Sequence, residues 1–290
     1  MRIVSFCVIG CLLGDILNAE IPLSNQSNTT VSALQSNPQN NTRENELATI
    51  RDLQAKTILK NTVIKETSLE SVLNLRLDNA QISTLEGFGI FKSLTHLSLS
   101  GNFINNITPI AQLKCLKTLD LSKNQIVVPA GIGSLEQLES LDLSHNQLKY
   151  AFCCSFTSLR YLRLNDNNIQ QLIFINNFNK LLEEVDVSNN TLKNIVIKAP
   201  LLSLKKLNAN GTFLTQVGDL NHLQALEELN LKNCIHLRSI ASLFNRMGDH
   251  WQCKLNRLKK LSISEEFLDK ASKDILADIK GQKDSILTVQ

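Results

Sequence analysis

Two pairs of cysteine and histidine residues carry the side chains best suited to metal or redox chemistry in this chain. They are Cys234-Ile-His236 and His250-Trp-Gln-Cys253, which together offer four ligands of the types that zinc prefers. The Cys-x-His spacing is unusual for structural zinc, and only stoichiometric zinc in the purified protein would support a metal site. In an oxidising compartment the same positions favour a disulfide. We therefore predict no metal and a Cys234–Cys253 bond, which closes a loop worth roughly 3 kcal/mol of chain entropy.

Catalysis would require a nucleophile, a base and an orienting group that converge in a pocket. His96 and Asp120 are the best candidates, because they fall on neighbouring strands of the sheet predicted below. Two such residues on adjacent strands are ordinary surface chemistry, and the sequence contains no phosphate loop, metal motif or nucleophile elbow. We therefore predict that the protein is not an enzyme and uses no cofactor.

A sequence repeat of the form L-x-x-L-x-L-x-x-N-x-I/L positions these residues. Its first positions fall at Val72, Leu94, Leu116, Leu138, Leu159, Leu182, Leu204 and Leu226, in steps of 22, 22, 22, 21, 23, 22 and 22 residues. This period is typical of leucine-rich repeats. In each copy the L-x-L pair alternates with polar residues, which predicts a strand with one buried face.

Stacked turns of this kind predict an α/β leucine-rich repeat solenoid, a curved horseshoe with a parallel sheet on its concave side. The return half of each turn is too short for a long helix, so we expect a 3₁₀ or extended convex side, as in Ile104 to Leu113. The Asn at the ninth position should bond backbone groups where the chain leaves the strand. Five copies carry it: Asn102, Asn124, Asn146, Asn167 and Asn190. Ala80, Thr212, Cys234 and Glu266 replace it in the terminal turns.

The ends of the solenoid should be covered by caps. We assign residues 47–71 to an N-terminal cap, with its apolar residues between Ile50 and Ile64, and residues 72–238 to the repeats. Residues 239–290 form the C-terminal cap, with a degenerate last repeat. Within it the spacing predicts a helical excursion over Ser239 to Met247. A terminal helix is predicted by Phe267, Leu268, Ala271, Ile275 and Ile279.

The first residues read as a targeting segment. Arg2, the apolar run Ile3 to Leu13 and the small residue Ala19 predict a signal peptide over residues 1–19, too short to span a bilayer. Residues 20–46 form a polar leader that we expect to be disordered. The formal charge of +3 is unchanged by this cleavage. This small net charge predicts neither nucleic-acid binding nor membrane insertion of the mature, secreted chain.

Sequons for N-glycans agree with secretion. Those within the repeats begin at Asn106, Asn189 and Asn210. Once Cys7 and Cys11 leave with the signal peptide, five cysteines remain, three of them Cys115, Cys153 and Cys154. An odd number leaves at least one thiol free or intermolecular, which permits a disulfide-linked oligomer.

The polar residues that flank each L-x-L pair should point into the concavity and contact a partner. Tyr161 and Arg163 are the favoured anchors, because large amphipathic residues dominate binding hot spots. Asp120, Asp142 and Asp186 would form an acidic stripe for a basic partner, although Leu-Asp-Leu-Ser is a common filling of this repeat and these residues could simply be solvated. The last turns gain lysine, and Lys206 joins the candidate partner-binding residues.

The repeats from Leu94 to Leu214 resemble those of the extracellular leucine-rich repeat family. The signal peptide, the Asn-rich leader, the compact repeats and the segment Tyr150-Ala-Phe-Cys-Cys are similar to secreted insect leucine-rich immune proteins. That resemblance implies protein complex formation in defence against pathogens. The leading hypothesis is a secreted recognition protein that binds a protein or pathogen-surface ligand. The alternatives are a cytosolic scaffold similar to phosphatase regulators, which requires residues 1–19 to be retained, and an extracellular adhesion or matrix protein.

Overall fold

The structure is a computed structural model that describes residues 66–150, 156–174, 179–197, 201–282 and 287–290. All of them lie in one compact unit, Gln39–Gln290. The predicted signal peptide, the leader, the cap residues Ile50 to Ile64 and the pair Cys153 and Cys154 lie outside the described residues. Within the described ranges, no helix has both the length and the apolar character that a bilayer crossing requires.

The main element is a ten-stranded sheet in which each turn of the repeat contributes one strand. The strands in chain order are β1 (Asn74–Arg76), β2 (His96–Ser98), β3 (Thr118–Asp120), β4 (Ser140–Asp142), β5 (Tyr161–Arg163), β6 (Gln171–Phe174), β7 (Glu184–Asp186), β8 (Asn194–Ile197), β9 (Lys206–Asn208), β10 (Glu228–Leu231), β11 (Phe244–Met247), β12 (His250–Cys253), β13 (Lys260–Ile263) and β14 (Thr288–Val289). The main sheet has the order β1-β2-β3-β4-β5-β7-β9-β10-β13-β14, and all its pairs are parallel.

The register of this sheet places like positions of the repeat side by side. Leu97 pairs with Leu119, and Leu119 pairs with Leu141; their exposed fractions are 2%, 1% and 1%. The flanking residues point to the opposite face, because side chains alternate along a strand. A continuous aliphatic core results, and the predicted leucine-rich repeat solenoid is confirmed.

The predicted asparagine ladder joins each turn to the one before it. The Nδ2 atom of Asn124 donates to the carbonyl oxygens of Leu99 and Leu121 at 3.0 and 3.1 Å, and its Oδ1 accepts from the Ile104 amide at 3.0 Å. Asn102, Asn146, Asn167 and Asn190 repeat this pattern. Every fully buried side-chain nitrogen and oxygen among the described residues has a hydrogen-bond partner.

The return half of the early turns is 3₁₀ and extended, as predicted. Short 3₁₀ helices occupy Phe88–Ile90, Thr108–Gln112 and Ile132–Ser134, and Ile107, Ile110 and Leu113 are fully buried. Later turns differ, because β6 and β8 pair in parallel as a second, two-stranded sheet outside the main one. The β-branched and aromatic residues of Leu-Ile-Phe and Ile-Val-Ile at these positions favour strands.

The predicted helical excursion over Ser239 to Met247 is wrong. A 3₁₀ turn at Ala241–Leu243 leads directly into an antiparallel hairpin of β11 and β12, closed by Gly248 and Asp249. Gly248 has a φ of 64°, which suits a two-residue hairpin turn. The apolar residues Ile240, Leu243 and Phe244 are buried as expected, so their spacing was compatible with either element.

The predicted terminal helix is confirmed as helix α1, Lys270–Gly281. Asp269 caps its N-terminus and accepts a hydrogen bond from the Ser272 amide at 2.7 Å. The buried face consists of Ser272, Ile275, Leu276 and Ile279, whereas Ala271, which we expected on that face, is exposed. Beyond α1 the chain adds β14 to the main sheet beside β13.

One carboxylate fastens the hairpin to helix α1. The Oδ1 atom of Asp278 lies 3.0 Å from Nδ1 of His250, and its Oδ2 atom accepts a hydrogen bond from the Trp251 amide at 2.7 Å. Gln282 donates to the same Oδ2 and to the Trp251 carbonyl. The hydrogen bond to Asp278 raises the pKa of His250, and the same bond lowers the pKa of Asp278.

The predicted disulfide between Cys234 and Cys253 is corrected, because both residues are free thiols in the structure, as is Cys115. Cys234 is buried at the ladder position, where its Sγ lies 3.3 Å from the Ala209 carbonyl oxygen and 3.3 Å from Oγ1 of Thr212. Its thiol therefore takes the place of a ladder amide. Cys253 is half-buried on β12, and burial raises the pKa of its thiol.

Replacement of a ladder residue should destabilise the protein. Asn124→Leu would leave the Ile104 amide without its side-chain partner and would remove one of the two ladder amides that donate to the Leu99 and Leu121 carbonyls, at a cost of about 1–3 kcal/mol. Urea unfolding followed by circular dichroism measures this cost. The control is Asn105→Leu at an exposed position, which should change the free energy of unfolding by less than about 0.5 kcal/mol. Equal effects of the two substitutions would contradict the ladder's role.

The His250–Asp278 contact should make stability depend on pH. Because the folded-state pKa of His250 is raised above its ordinary value of 6.5, the protonated histidine stabilises the fold below that value. The stabilisation is lost as the pH rises through the folded-state pKa. The difference in urea midpoint between wild type and His250→Gln should therefore be larger at about pH 5.5 than at about pH 8.5. Asp249 on the hairpin also raises this pKa.

His222→Gln provides the matched control for this experiment. His222 is exposed and has no ion pair within the described ranges. Its substitution should shift the urea midpoint equally at both pH values. A pH-independent difference for His250→Gln would show that the contact with Asp278 does not contribute to stability.

Candidate binding surface

The exposed face of the main sheet carries two parallel rows of side chains, one on each side of the first buried residue of the L-x-L pair. The register sets their order across the strands. The first row reads Asn74, His96, Thr118, Ser140, Tyr161, Glu184, Lys206, Glu228 and Lys260, and the second reads Arg76, Ser98, Asp120, Asp142, Arg163, Asp186, Asn208, Asn230 and Ser262. We call these two rows the sheet face.

A shallow depression of about 220 Å³ lies on the sheet face over β5, β7 and β9. Four of the predicted contact residues line it: Tyr161, Arg163, Asp186 and Lys206. Leu162 and Val185 also line it. The structure thus brings most of the predicted residues together, with a mixture of aromatic, cationic and anionic groups around one concavity. We call this concavity the central depression.

Arg163 is the cation at the centre of an acidic row. It stands between Asp142 and Asp186 in the register, and its Nη1 atom lies 3.5 Å from Oδ2 of Asp142. The Arg163 side chain is 67% exposed, whereas that of Asp142 is 19% exposed. Tyr161, two residues earlier on the same strand, is 40% exposed. Both anchors are therefore accessible to a partner, and the Asp142 carboxylate helps to orient the Arg163 guanidinium.

The acidic residues have a structural task as well as a place on the sheet face. In Asp120, Asp142 and Asp186 the Oδ1 atom accepts a hydrogen bond at 2.9 Å from the amide of the serine two residues later. The Leu-Asp-Leu-Ser filling is thus explained by a local side-chain bond to the backbone. Asp186 also accepts from Asn208 at 2.9 Å through Oδ2, so Asp120 keeps the least engaged carboxylate of the three.

Lys206 belongs to a row of alternating charges. Its Nζ atom lies 3.1 Å from Glu184 and 4.0 Å from Glu228, on the two neighbouring strands. The hydrogen bond to Glu184 is the main reason that the pKa of Lys206 is raised. Lys206 borders the central depression, but its charge is already balanced within the chain.

A second depression, of about 370 Å³, lies over β1, β2 and β3 and was not expected from the sequence. Its floor includes Leu75 and Leu97, and polar residues including Asn74, Arg76 and His96 surround the floor. Asp120 lines this depression and not the central one. The six predicted contact residues therefore do not form a single cluster. The signal in the sequence was the large side chains of Arg76 and His96, because the strands that follow carry the smaller Ser98 and Asp120 in one row and Thr118 and Ser140 in the other.

A third row of charges was also missed. It lies one residue before the first row and consists of Lys117, Glu139, Arg160, Glu183, Lys205, Glu227 and Lys259. We call it the edge ladder. Glu183 lies 2.6 Å from Arg160 and 2.8 Å from Lys205, and these two hydrogen bonds, that of Lys205 first, lower its pKa. The signal in the sequence was the alternation of charge at a fixed position of the repeat.

The three predicted glycosylation sites differ in their surroundings. Asn106 is exposed, and the only hydrogen bond described for its side chain is accepted by Oδ1 from the Thr108 amide at 3.0 Å. Asn189 is exposed, but its Nδ2 donates to Asp166 at 3.0 Å. Asn210 is half-buried, and Thr212 of its sequon is completely buried. The fold therefore accommodates a glycan most readily at Asn106.

Comparisons with known proteins agree with the repeat and the fold. A family model for leucine rich repeats in two copies matches residues 92–132, and a model for a single leucine rich repeat matches residues 137–157. None of the curated proteins matches the sequence. Together with the solenoid described above, these matches show that the chain contains leucine-rich repeats and has the leucine-rich repeat fold.

Solved structures of insect and bacterial leucine-rich repeat domains share its fold. The domain of insect APL1B is 19% identical, with a TM-score of 0.54, covering 80% of this chain and 70% of its own. Internalin C2 from Listeria monocytogenes is 21% identical, with a TM-score of 0.54 and coverages of 72% and 90%. The insect LRIM1/APL1C complex gives 22% identity, a TM-score of 0.55 and coverages of 67% and 35%. At these identities the likeness establishes the fold.

Expression in cells that secrete and glycosylate proteins should place an N-glycan on Asn106. The exposed side chain and the exposed Thr108 of its sequon are the reason. Mass spectrometry of peptides before and after enzymatic removal of N-glycans measures occupancy. Asn106→Gln should remove the glycan, and the neighbouring substitution Asn105→Gln should leave it in place. Secreted protein without modification at Asn106 would contradict this prediction.

Proposed function

We propose that the protein is a secreted leucine-rich repeat recognition protein that binds a protein or pathogen-surface ligand through its sheet face, and that it acts in innate immunity. The observation that carries the proposal is the pair Tyr161 and Arg163 in the central depression. Both depart from the small polar filling of the repeat, and both are exposed on one strand above a largely satisfied scaffold. Aromatic and arginine side chains in such positions are the usual anchors of protein interfaces.

The chemistry of the central depression favours a polar macromolecular surface over a small apolar ligand. Its lining includes two cations, two carboxylates, an amide and a tyrosine, and the depression is shallow. Enclosed apolar pockets are typical of small-molecule sites. A partner that offers carboxylates to Arg163 and hydrogen-bond donors to Asp186 would match this arrangement.

Secretion and the immune role are supported by the sequence. Residues 1–19 have the features of a signal peptide, and the repeats carry sequons, of which the one at Asn106 is exposed. The LRIM1/APL1C structure is that of a complex between two leucine-rich repeat proteins. The resemblance of this chain to secreted insect immune proteins motivates the same class of role here.

The central depression can be tested by affinity capture from the native extracellular fluid, quantified by mass spectrometry. The amount of a specifically captured ligand should fall at least about tenfold for the variant Tyr161→Ala/Arg163→Ala, since each anchor of a hot spot contributes on the order of 1–2 kcal/mol. The matched control is Phe103→Ala/Arg246→Ala, which removes an exposed aromatic residue and an exposed arginine away from the sheet face. Both variants should unfold at the wild-type urea midpoint.

Unchanged capture by Tyr161→Ala/Arg163→Ala would remove the central depression as the contact site. Loss of capture by the control as well would place the ligand elsewhere on the molecule. Capture by the wild-type chain that is lost only in the first variant supports the proposal.

A further inference from the structure

The edge ladder is unusual because its charges alternate without interruption across seven neighbouring strands. From β3 to β13 the signs run plus, minus, plus, minus, plus, minus, plus, from Lys117 to Lys259. Successive strands lie about 4.8 Å apart, so the last six charges extend over about 24 Å. These side chains are mostly accessible, with exposed fractions from 18% for Glu183 to 61% for Lys259.

An alternating row of this kind is self-complementary about the midpoint between any two of its strands, and the midpoint between β7 and β9 is the one that also has apolar residues beside it. Between β7 and β9 the ladder divides into two halves with opposite signs. Glu183, Arg160 and Glu139 read outward on one side, and Lys205, Glu227 and Lys259 read outward on the other. A two-fold rotation about that point therefore superimposes each charge on one of opposite sign. Symmetric dimers use surfaces of this kind, in which one residue meets a second and the second meets the first.

Two exposed leucines lie at the same point. Leu181 is two residues before Glu183 in the segment that enters β7, and it is 41% exposed. Leu202 is three residues before Lys205 in the segment that enters β9, and it is 61% exposed. An apolar centre surrounded by charged residues is the usual arrangement of a protein interface.

Ion pairing within the chain does not account for both features. Exposed pairs such as Lys259 with Glu227, at 2.8 Å, contribute only about 0–1 kcal/mol each. They give no reason for two leucines in water at the centre of the pattern. Charges arranged in this way contribute mainly to the choice and register of a partner, while the apolar centre contributes affinity.

We propose that the edge ladder is the interface between two copies of this chain. The two-fold axis lies in the interface between β7 and β9, so that Glu183 faces Lys205 of the second copy and Arg160 faces its Glu227. The leucines of both copies meet at the axis. Because the axis is perpendicular to the edge ladder and parallel to the normal of the main sheet, both sheet faces point to the same side. The dimer presents two central depressions together, and its formation does not depend on the ligand of the proposed function.

Sedimentation velocity over a concentration series that reaches the high micromolar range tests the proposal. The wild-type chain should show a dimer, whereas Glu183→Lys and Lys205→Glu, each alone, should weaken dimerisation at least about tenfold because like charges then face each other. An equimolar mixture of the two variants should dimerise again, since lysines of one copy meet glutamates of the other. Rescue by mixing is independent of any stability that either variant loses within its own chain.

Further variants locate the apolar centre. Leu202→Asp should abolish the dimer, and Leu73→Asp, at an exposed leucine beside β1, should leave it unchanged. Lys193→Glu, at an exposed lysine outside the edge ladder, should also have no effect. A wild-type chain that stays monomeric at every concentration, a dimer that survives both charge reversals, or a mixture that fails to associate would each overturn the proposal.

Discussion

Every turn of this protein depends on the pairing of backbone groups between turns, because the strands are too short to hold themselves together. Most strands of the main sheet are three residues long. After three residues each chain turns away from its neighbours, and its carbonyl and amide groups would lose their partners in a buried place. The ladder asparagines take over at that point. The carboxamide of Asn146 connects Leu121, Leu143 and Ile126, which belong to two successive turns.

The same constraint explains how the ends of the ladder differ. Thr212 and Cys234 occupy ladder positions with one donor each instead of the two of an amide, and both reach the Ala209 carbonyl. Beyond them the regular turn gives way to the hairpin, helix α1 and β14. Glu266, at the next expected position, is exposed in a 3₁₀ turn, Glu265–Phe267. The ladder therefore ends where the cap takes over the pairing of the backbone.

The sequence was sufficient to predict the solenoid, the parallel sheet, the 3₁₀ return segments and the terminal helix. Those features depend on the periodic spacing of leucines and asparagines, and that spacing is compatible with only one local structure. The hairpin was missed because Ile240, Leu243 and Phe244 fit a helical spacing, although Gly248-Asp249 is a pair of residues that favours a two-residue hairpin turn. The disulfide was inferred from the predicted secretion and from the positions of Cys234 and Cys253 on either side of the cap excursion. Cys234 instead follows the repeat, as its place in the ladder shows.

The candidate site was harder to predict, because it depends on which turns are neighbours and what each charge already contacts. Tyr161 and Arg163 were recognisable as departures from the repeat. The engagement of Lys206 by Glu184 and Glu228, and of Asp186 by Asn208, appears only when strands are placed in register. The edge ladder was present in the sequence at one position per turn, yet its alternation becomes meaningful only across the folded sheet.

The alternation of the edge ladder gives the solenoid two different repeats. Its backbone repeats with every turn, while its electrostatics repeat with every second turn. Loss of a single turn, for example the one that carries Glu183, would allow the same parallel pairing of backbones between the remaining turns but would place Arg160 beside Lys205. Loss of two turns would place Arg160 beside Glu227 and keep the alternation. The alternation of charge is therefore kept only when turns are lost or gained in pairs.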